Sequence, residues 1–443
     1  MEKILGFLEE KIMPFANKLG QQRHLLAIRD GFLSMIALTM VASIATLVNN
    51  IPIDAVKKFL TETNIGQQVY TLCQNISWGA FSFMSIFACL AIAQALWRSY
   101  GKNGYEAGLV ATAVFLGISK QTVSFTPEGA SETILVKGGL AASNFGATAL
   151  FTAIIVALLT VELLRYLSNV KWLKIKLPDM VPPAVSRSFE TMLPGILTII
   201  LSILAALILR NVTGEYLSDL IVRLIQTPIQ SISDSLGSAI FIPLIICLLW
   251  SLGIHGTNVT DGIFVPVLTS LAAVNMQLAA EGATEGFHIV NLPFFYSFVW
   301  LGGAGTTLSL VIAMIIASKK SRKRYGAITS LSIAPGIFNI NEPVIFGVPI
   351  VLNPILMIPF IFIPIVLSVI SYLAISIGLV SPVIVQSVPW TTPPILSGFL
   401  ATGDLSGALL SGFNLILAVI LYIPFVIASI KIEEKKIEKE LTN

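Results

Sequence analysis

Eight apolar runs, near residues 31–49, 76–97, 141–164, 190–209, 238–254, 294–317, 352–378 and 405–430, are each long enough to cross a bilayer. Two weaker runs lie near 104–119 and 258–280, the second carrying Asp261 and Pro266. Little chain is left to fold in any other way. Charged residues are 12% of the 443 and hydrophobic ones 55%, against about 25% charged in a soluble globular chain. So little charge cannot cover a soluble surface, which excludes a soluble enzyme and a disordered scaffold. The net charge of +3 provides no basic face for nucleic acid. The expected fold is an all-α integral membrane protein with about ten transmembrane helices.

Basic residues test that count, because cytoplasmic loops collect them. With the N-terminus inside and ten spans, the inner side receives Lys3, Lys11, Lys18, Arg23 and Arg29, then Arg98 and Lys102. It also receives Arg165, Lys171, Lys174, Lys176 and Arg187, the cluster Lys319, Lys320, Arg322, Lys323 and Arg324, and Lys431, Lys435, Lys436 and Lys439. That is 21 of 27 cations, and six fall outside. Omitting either weak run alone would send the downstream clusters to alternating wrong sides, so both termini are expected in the cytoplasm. Residues 1–18 read as an interfacial helix with Ile4, Leu5, Leu8, Ile12 and Phe15 near one face. Residues 169–177, with Trp172 among lysines, suit the headgroup zone. The start of the chain mixes charge with hydrophobe and does not read as a cleavable signal peptide.

Cys73, Cys89 and Cys247 are odd in number, lie in or beside apolar runs and form no C-x-x-C pair, so neither a disulfide framework nor a metal site is expected. No loop between spans exceeds about 30 residues, below the roughly 50 a domain needs, and no phosphate-binding G-x-x-x-x-G-K-[ST] occurs. No cofactor is expected. A phosphoryl donor, if transport uses one, belongs to another chain.

Three apolar stretches cannot be continuous helices. Ala327–Asn353 contains Pro335-Gly336 and Glu342-Pro343. Proline biases its preceding residue away from helix and favours the first helical position. This predicts a re-entrant hairpin with one arm over Ala327–Ile333, a turn over Pro335–Asn341, and a second arm starting at Pro343. Glu342 then sits at the second arm's N-terminus, where the helix dipole favours its ionised form. Ser381–Leu400 carries four prolines and Trp390, and predicts a second hairpin entering from outside, with Trp390 and Thr391-Thr392 near its tip. An aromatic ring beside hydroxyls and amides suits a sugar's apolar faces and hydroxyl rim. In the third stretch, Leu248–Asn258, His255 follows an apolar run between Gly253 and Gly256, with Thr257, Asn258 and Asp261 close by. Irregular backbone at membrane depth is tolerated only under protein or beside a water-filled cavity, and ionisable residues there are functional candidates. The plainer readings are a histidine at a helix end, a carboxylate that only caps, and a tryptophan that anchors the bilayer.

The segment Gln21–Phe32, Gln-Gln-Arg-His-Leu-Leu-Ala-Ile-Arg-Asp-Gly-Phe, resembles the N-terminal segment of enzyme IIC permeases of the bacterial sugar phosphotransferase system, in the lactose/cellobiose/diacetylchitobiose branch. Trp250–Asn258 with its His-Gly, Asn339-Ile-Asn-Glu-Pro343 and Pro389-Trp-Thr-Thr-Pro-Pro394 are similar to further motifs of that family. The likeness runs the length of the chain, in order. It implies ten spans, two re-entrant hairpins and surface helices. It also implies an N-terminal half, 1–210, that forms the scaffold of a homodimer, and a C-terminal half, 211–443, that holds the sugar. It implies import of a β-linked disaccharide such as cellobiose or diacetylchitobiose across the bacterial inner membrane. A separate cytoplasmic enzyme IIB would phosphorylate the sugar from a phosphocysteine, itself supplied through enzyme IIA and the phosphocarrier protein. Carried over, Glu342 and His255 contact the sugar near the hydroxyl to be phosphorylated and serve as catalytic residues. Asn341 and Trp390 are further sugar contacts, with Asn258 and Thr391 as neighbouring polar candidates. The rival is an ion-coupled secondary sugar transporter in which His255 and Glu342 relay protons. A passive channel fits the polar breaks less well.

Overall fold

In the computed structural model, residues 14, 18, 20–51, 54–125, 134–175, 178, 183–317, 319–348, 350 and 353–442 are described. The interfacial helix expected over residues 1–18 lies almost wholly outside them, and of the cationic cluster at 319–324 only the backbone is described. The described residues are mostly helical. In order come α1 (Arg23–Ser34), α2 (Ile36–Asn50), α3 (Asp54–Glu62), α4 (Asn64–Ala80), α5 (Met84–Ser99) and α6 (Gly104–Ile118). A two-stranded antiparallel hairpin follows, β1 (Thr122–Phe125) and β2 (Ile134–Lys137), with Thr122 opposite Lys137. It is a small β element in a chain whose hydrophobic pattern predicts only helices. Then come α7 (Leu150–Ser168), α8 (Pro183–Thr213), α9 (Leu217–Ile221) and α10 (Thr227–Ser233). The C-terminal elements are α11 (Leu236–Ser251), α12 (Gly256–Ala280), α13 (Leu292–Phe298), α14 (Thr307–Ile316), α15 (Lys319–Ile337), α16 (Glu342–Gly347), α17 (Pro354–Ser376), α18 (Leu396–Thr402) and α19 (Leu405–Thr442).

Among the described residues five helices are long and apolar enough to cross a membrane, and up to eight if each of three bent pairs is one span. The weak run near 258–280 is one of the five, as α12. Pro266 lies inside it without breaking it, as prolines in membrane helices commonly do when neighbours cover the freed carbonyl.

The chain divides into two compact units. One takes in Gln21–Ala42 and Gln74–Gln230. There α5 packs against α1, α6 and α7. Ala88 and Ala93 of α5, Ala107 and Ala111 of α6, and Ala153 and Ala157 of α7 are all fully buried. Small residues at these contacts let backbones approach, which is how membrane helices gain van der Waals contact without a hydrophobic driving force between them.

The other unit takes in Ser43–Cys73 and Ser231–Asn443. Its core is aromatic: Phe294, Phe295, Phe298, Phe360 and Tyr422 are fully buried together. Here α11 packs on α17, and α14 packs on α15 and α19. Two expectations are corrected in this unit. The run 294–317 is not one helix but α13 and α14 separated by an irregular segment, 299–306, that contains Gly302, Gly303 and Gly305, all at positive φ. And α15 does not stop before Pro335 but runs through it to Ile337. The stop is set by Asn339, in the left-handed region at φ +62°, and not by the proline. Pro335 loses only its own N–H, while its carbonyl accepts from Ile340 N–H at 3.0 Å.

Candidate functional site

The break before His255 is built locally. Gly253 N–H donates to Trp250 O and Ile254 N–H to Leu249 O, each at 3.0 Å, with Gly253 at φ +80°. This is the hydrogen-bond pair of a Schellman stop. Its usual apolar contact is present too, since Leu249, Ile254 and Val259 form one buried cluster. His255 then caps α12: its Nδ1 accepts from Asn258 N–H at 3.4 Å and lies 3.0 Å from Thr257 Oγ1. A ring nitrogen that accepts a backbone N–H carries no proton, so in this arrangement the neutral imidazole holds its proton on Nε2. The ring packs on Trp250, with centroids 4.1 Å apart.

The break before Glu342 has the same backbone stop. Asn339 N–H donates to Gly336 O and Ile340 N–H to Pro335 O, each at 3.0 Å. Asparagine occupies the left-handed position here, and its side chain is fully engaged. Its Nδ2 donates to Trp390 O at 2.6 Å and Thr392 O at 2.9 Å, and its Oδ1 accepts from Gly302 N–H at 2.6 Å. Two residues on, Asn341 is 6% exposed and donates through Nδ2 to Ala304 O at 3.2 Å. Glu342 opens α16, with Pro343 behind it.

The glycine-rich segment 299–306 takes two of these bonds, donating Gly302 N–H to Asn339 and accepting from Asn341 at Ala304 O. A buried irregular segment must have its carbonyls satisfied. Trp300 O and Gly303 O accept from the backbone N–H groups of Gly303 and Thr306, and side chains hold four more and Phe298 O just before the segment. Phe298 O accepts from Asn414, Val299 O from Thr306, Gly302 O from Thr307, Ala304 O from Asn341 and Gly305 O from Tyr422. At Gly302 the backbone comes so close that a Cβ would lie 2.2 Å from Leu308 N. The second proline-rich stretch is an extended limb from 381 to 389, a turn at Trp390–Thr392, and the short α18. Asn275 Nδ2 holds its Val383 O at 2.8 Å, and Thr392 N–H closes the tip onto Pro389 O at 2.8 Å.

His255 and Glu342 come together. Nε2 of one is 3.9 Å from Oε1 of the other, with side chains 41% and 48% exposed. That is too long for a direct hydrogen bond and leaves both polar tips open to a third group. Trp390 is 48% exposed, and its backbone is tied to the Glu342 segment through Asn339. Thr391 is half-buried beside it, and Asn258 is exposed on the first turn of α12. Asn341 is turned to the glycine-rich segment, so its amide nitrogen holds backbone. The sequence reading missed Asn339 as a structural centre and missed the segment 299–306. The signal was present for the second: three glycines in four residues inside an apolar run.

A proton-accepting carboxylate, an imidazole, an exposed indole and surrounding amides and hydroxyls can orient a hydroxylated apolar-faced ligand. Residues 29–364 match the family described as "Phosphotransferase system, EIIC". The chain is 37% identical over 427 residues to the lichenan permease IIC component of Bacillus subtilis (strain 168), which covers 96% of this chain and 93% of that protein. It is 36% identical over 427 residues to the PTS system cellobiose-specific EIIC component of Geobacillus stearothermophilus, covering 96% and 94%. The crystal structure of the transporter ChbC, the IIC component from the N,N'-diacetylchitobiose-specific phosphotransferase system, matches with a TM-score of 0.90 and 35% identity over 97% of this chain and 99% of that one.

Proposed function

This chain belongs to the EIIC family of the phosphotransferase system, and from that premise we propose how its broken segments hold and present a sugar. As an EIIC component it is a membrane-embedded sugar permease that works with an EIIB partner. Family membership decides between this and the ion-coupled transporter. We infer that the sugar is a β-linked disaccharide. Relatives bearing the names cellobiose and diacetylchitobiose support this. So does an exposed indole, since Trp390 offers a flat face for a second ring.

The observation that carries the site is the meeting of Glu342 and His255 from two separate breaks, 3.9 Å apart and both half exposed. A sugar hydroxyl is a poor nucleophile. In this reading Glu342 accepts its proton as the oxygen attacks the phosphorus carried on the EIIB cysteine. The O–P bond forms, the S–P bond breaks, and the thiolate stays with EIIB. His255 Nε2–H donates to the same or the neighbouring sugar oxygen and fixes the line of attack. Trp390 stacks the distal ring, and Asn258 and Thr391 reach ring hydroxyls. The three cysteines are buried and take no part.

We place this site in the C-terminal half, 211–443, of a ten-span protein with two re-entrant hairpins. Both termini are cytoplasmic, the half 1–210 is the scaffold of a homodimer, and the protein sits in the bacterial inner membrane. Enzyme IIA and the phosphocarrier protein recharge EIIB. The test is Glu342→Gln, which keeps shape and loses the proton acceptor. With EIIB supplied, it should form no sugar phosphate and bind cellobiose about 1.5–3 kcal/mol more weakly, as for a lost charge-assisted hydrogen bond. Wild-type rates of sugar-phosphate formation would sink this reading.

A further inference from the structure

We propose that Asn339 is a positioning residue that sets the distance between the Trp390 ring and the Glu342–His255 pair, and so matches the site to a disaccharide. The proposal rests on the reading of those three residues as a sugar site, and it concerns a residue that touches none of the reacting atoms.

Asn339 is 8% exposed, and both of its amide hydrogens are committed. The two acceptors, Trp390 O and Thr392 O, flank Thr391 and belong to the turn that carries the indole. Trp390 is itself half exposed, so packing does little to fix its ring, and the backbone beneath it must. On the other side, Asn339 is three residues before Glu342, and Asn341 between them is pinned to Ala304. The Asn339 Oδ1 bond to Gly302 N–H fixes this assembly to the glycine-rich segment. The carboxylate and the aromatic shelf therefore share one fixing point. Their separation is set by the length of one asparagine side chain. A glycine at 339 would keep the left-handed backbone at no steric cost, so the conformation alone does not call for asparagine. What asparagine adds is the clamp.

A plainer role is that Asn339 only satisfies carbonyls in a buried turn. The two roles differ in coupling. If Asn339 acts through Trp390, removing it after Trp390 is gone should cost sugar binding nothing further. A general structural defect would multiply with the loss of Trp390, because independent effects add in free energy within about 0.3–0.5 kcal/mol, or about a factor of two in affinity.

The experiment is a double-mutant cycle on the full chain purified in detergent, reading cellobiose and diacetylchitobiose affinity for wild type, Trp390→Ala, Asn339→Gly and the double variant. Each single change should weaken binding on the order of tenfold, as for loss of an aromatic contact. The double variant should bind within about twofold of Trp390→Ala alone. A double variant weakened by the product of the two single effects overturns the positioning role and leaves the site reading intact. If Trp390→Ala binds as wild type, the site reading itself falls, and this proposal with it. Should Asn339→Gly fail to fold, Asn339→Asp runs the same cycle. It keeps the acceptor for Gly302 N–H and loses both donors to the Trp390 turn.

Discussion

Two turns in the unit that contains His255 and Glu342 have the same backbone and different purposes. At Gly253 and at Asn339 a helix ends in the same pair of hydrogen bonds, with φ at +80° and +62°. Each is followed within three residues by a polar group that opens the next helix, His255 in one case and Glu342 in the other. The Gly253 turn is closed by its own neighbours: its two hydrogen bonds run to Trp250 and Leu249, and Leu249, Ile254 and Val259 pack together beside it. The Asn339 turn reaches 37 residues back to Gly302 and more than 50 forward to Trp390 and Thr392. The first turn aims one side chain. The second assembles three irregular segments around a carboxylate. A break that must bring distant segments together needs a side chain at the left-handed position, and asparagine is the residue that tolerates that position while offering donors and an acceptor.

The largest test of this contrast is Gly302→Ala. Gly302 lies at φ +90°, where a Cβ would sit 2.2 Å from the backbone of Leu308. That contact cannot be relieved by a rotamer, and the segment supports both Asn339 and Asn341. The variant should yield no monodisperse protein in detergent by size-exclusion chromatography. A well-folded Gly302→Ala protein would show that the long-range assembly is far softer than the geometry implies. Gly253→Ala should be much milder. The strain of an L-residue in the left-handed region is about 1–2 kcal/mol, and the turn's own hydrogen bonds are local. The protein should still fold, with a lowered thermal midpoint, and Gly253→Asn should recover part of that loss.

The same contrast explains what the sequence made legible. The His255 break was readable because its determinants lie within a dozen residues: an apolar run, Gly253, the histidine, Gly256 and a polar start to the next helix. Glu342 at the head of an arm was readable from Glu-Pro. Its stop was misplaced, because Pro335 looked like the breaker while Asn339 sets the turn. Nothing near Asn339 announces that its amide holds Gly302, Trp390 and Thr392, since hydrogen bonds across 37 to 53 residues leave no local pattern. The segment 299–306 is the opposite failure. Its glycines were visible, but the surrounding hydrophobicity reads as one span, and the four side chains that bond its carbonyls are spread from Thr306 to Tyr422.

The smallest effect on stability, and the sharpest separation of roles, is expected at His255. Its imidazole has two duties at once, capping α12 through Nδ1 and facing Glu342 through Nε2. His255→Ala removes both. Losing a helix N-cap costs about 0.5–2 kcal/mol, and the 3.4 Å bond to Asn258 N–H places this cap at the weak end. His255→Asn restores a strong N-cap residue and cannot place a donor where Nε2 was. The alanine variant should therefore unfold slightly below the asparagine variant on heating, by an amount equivalent to about 1 kcal/mol or less. Sugar-phosphate formation with EIIB should be lost in both to a similar degree. If the asparagine variant phosphorylates cellobiose at the wild-type rate, His255 is a cap and nothing more, and Glu342 works without it. If both variants are inactive but match the wild type in stability, the imidazole serves the chemistry alone, and the local turn at Gly253 suffices to start α12.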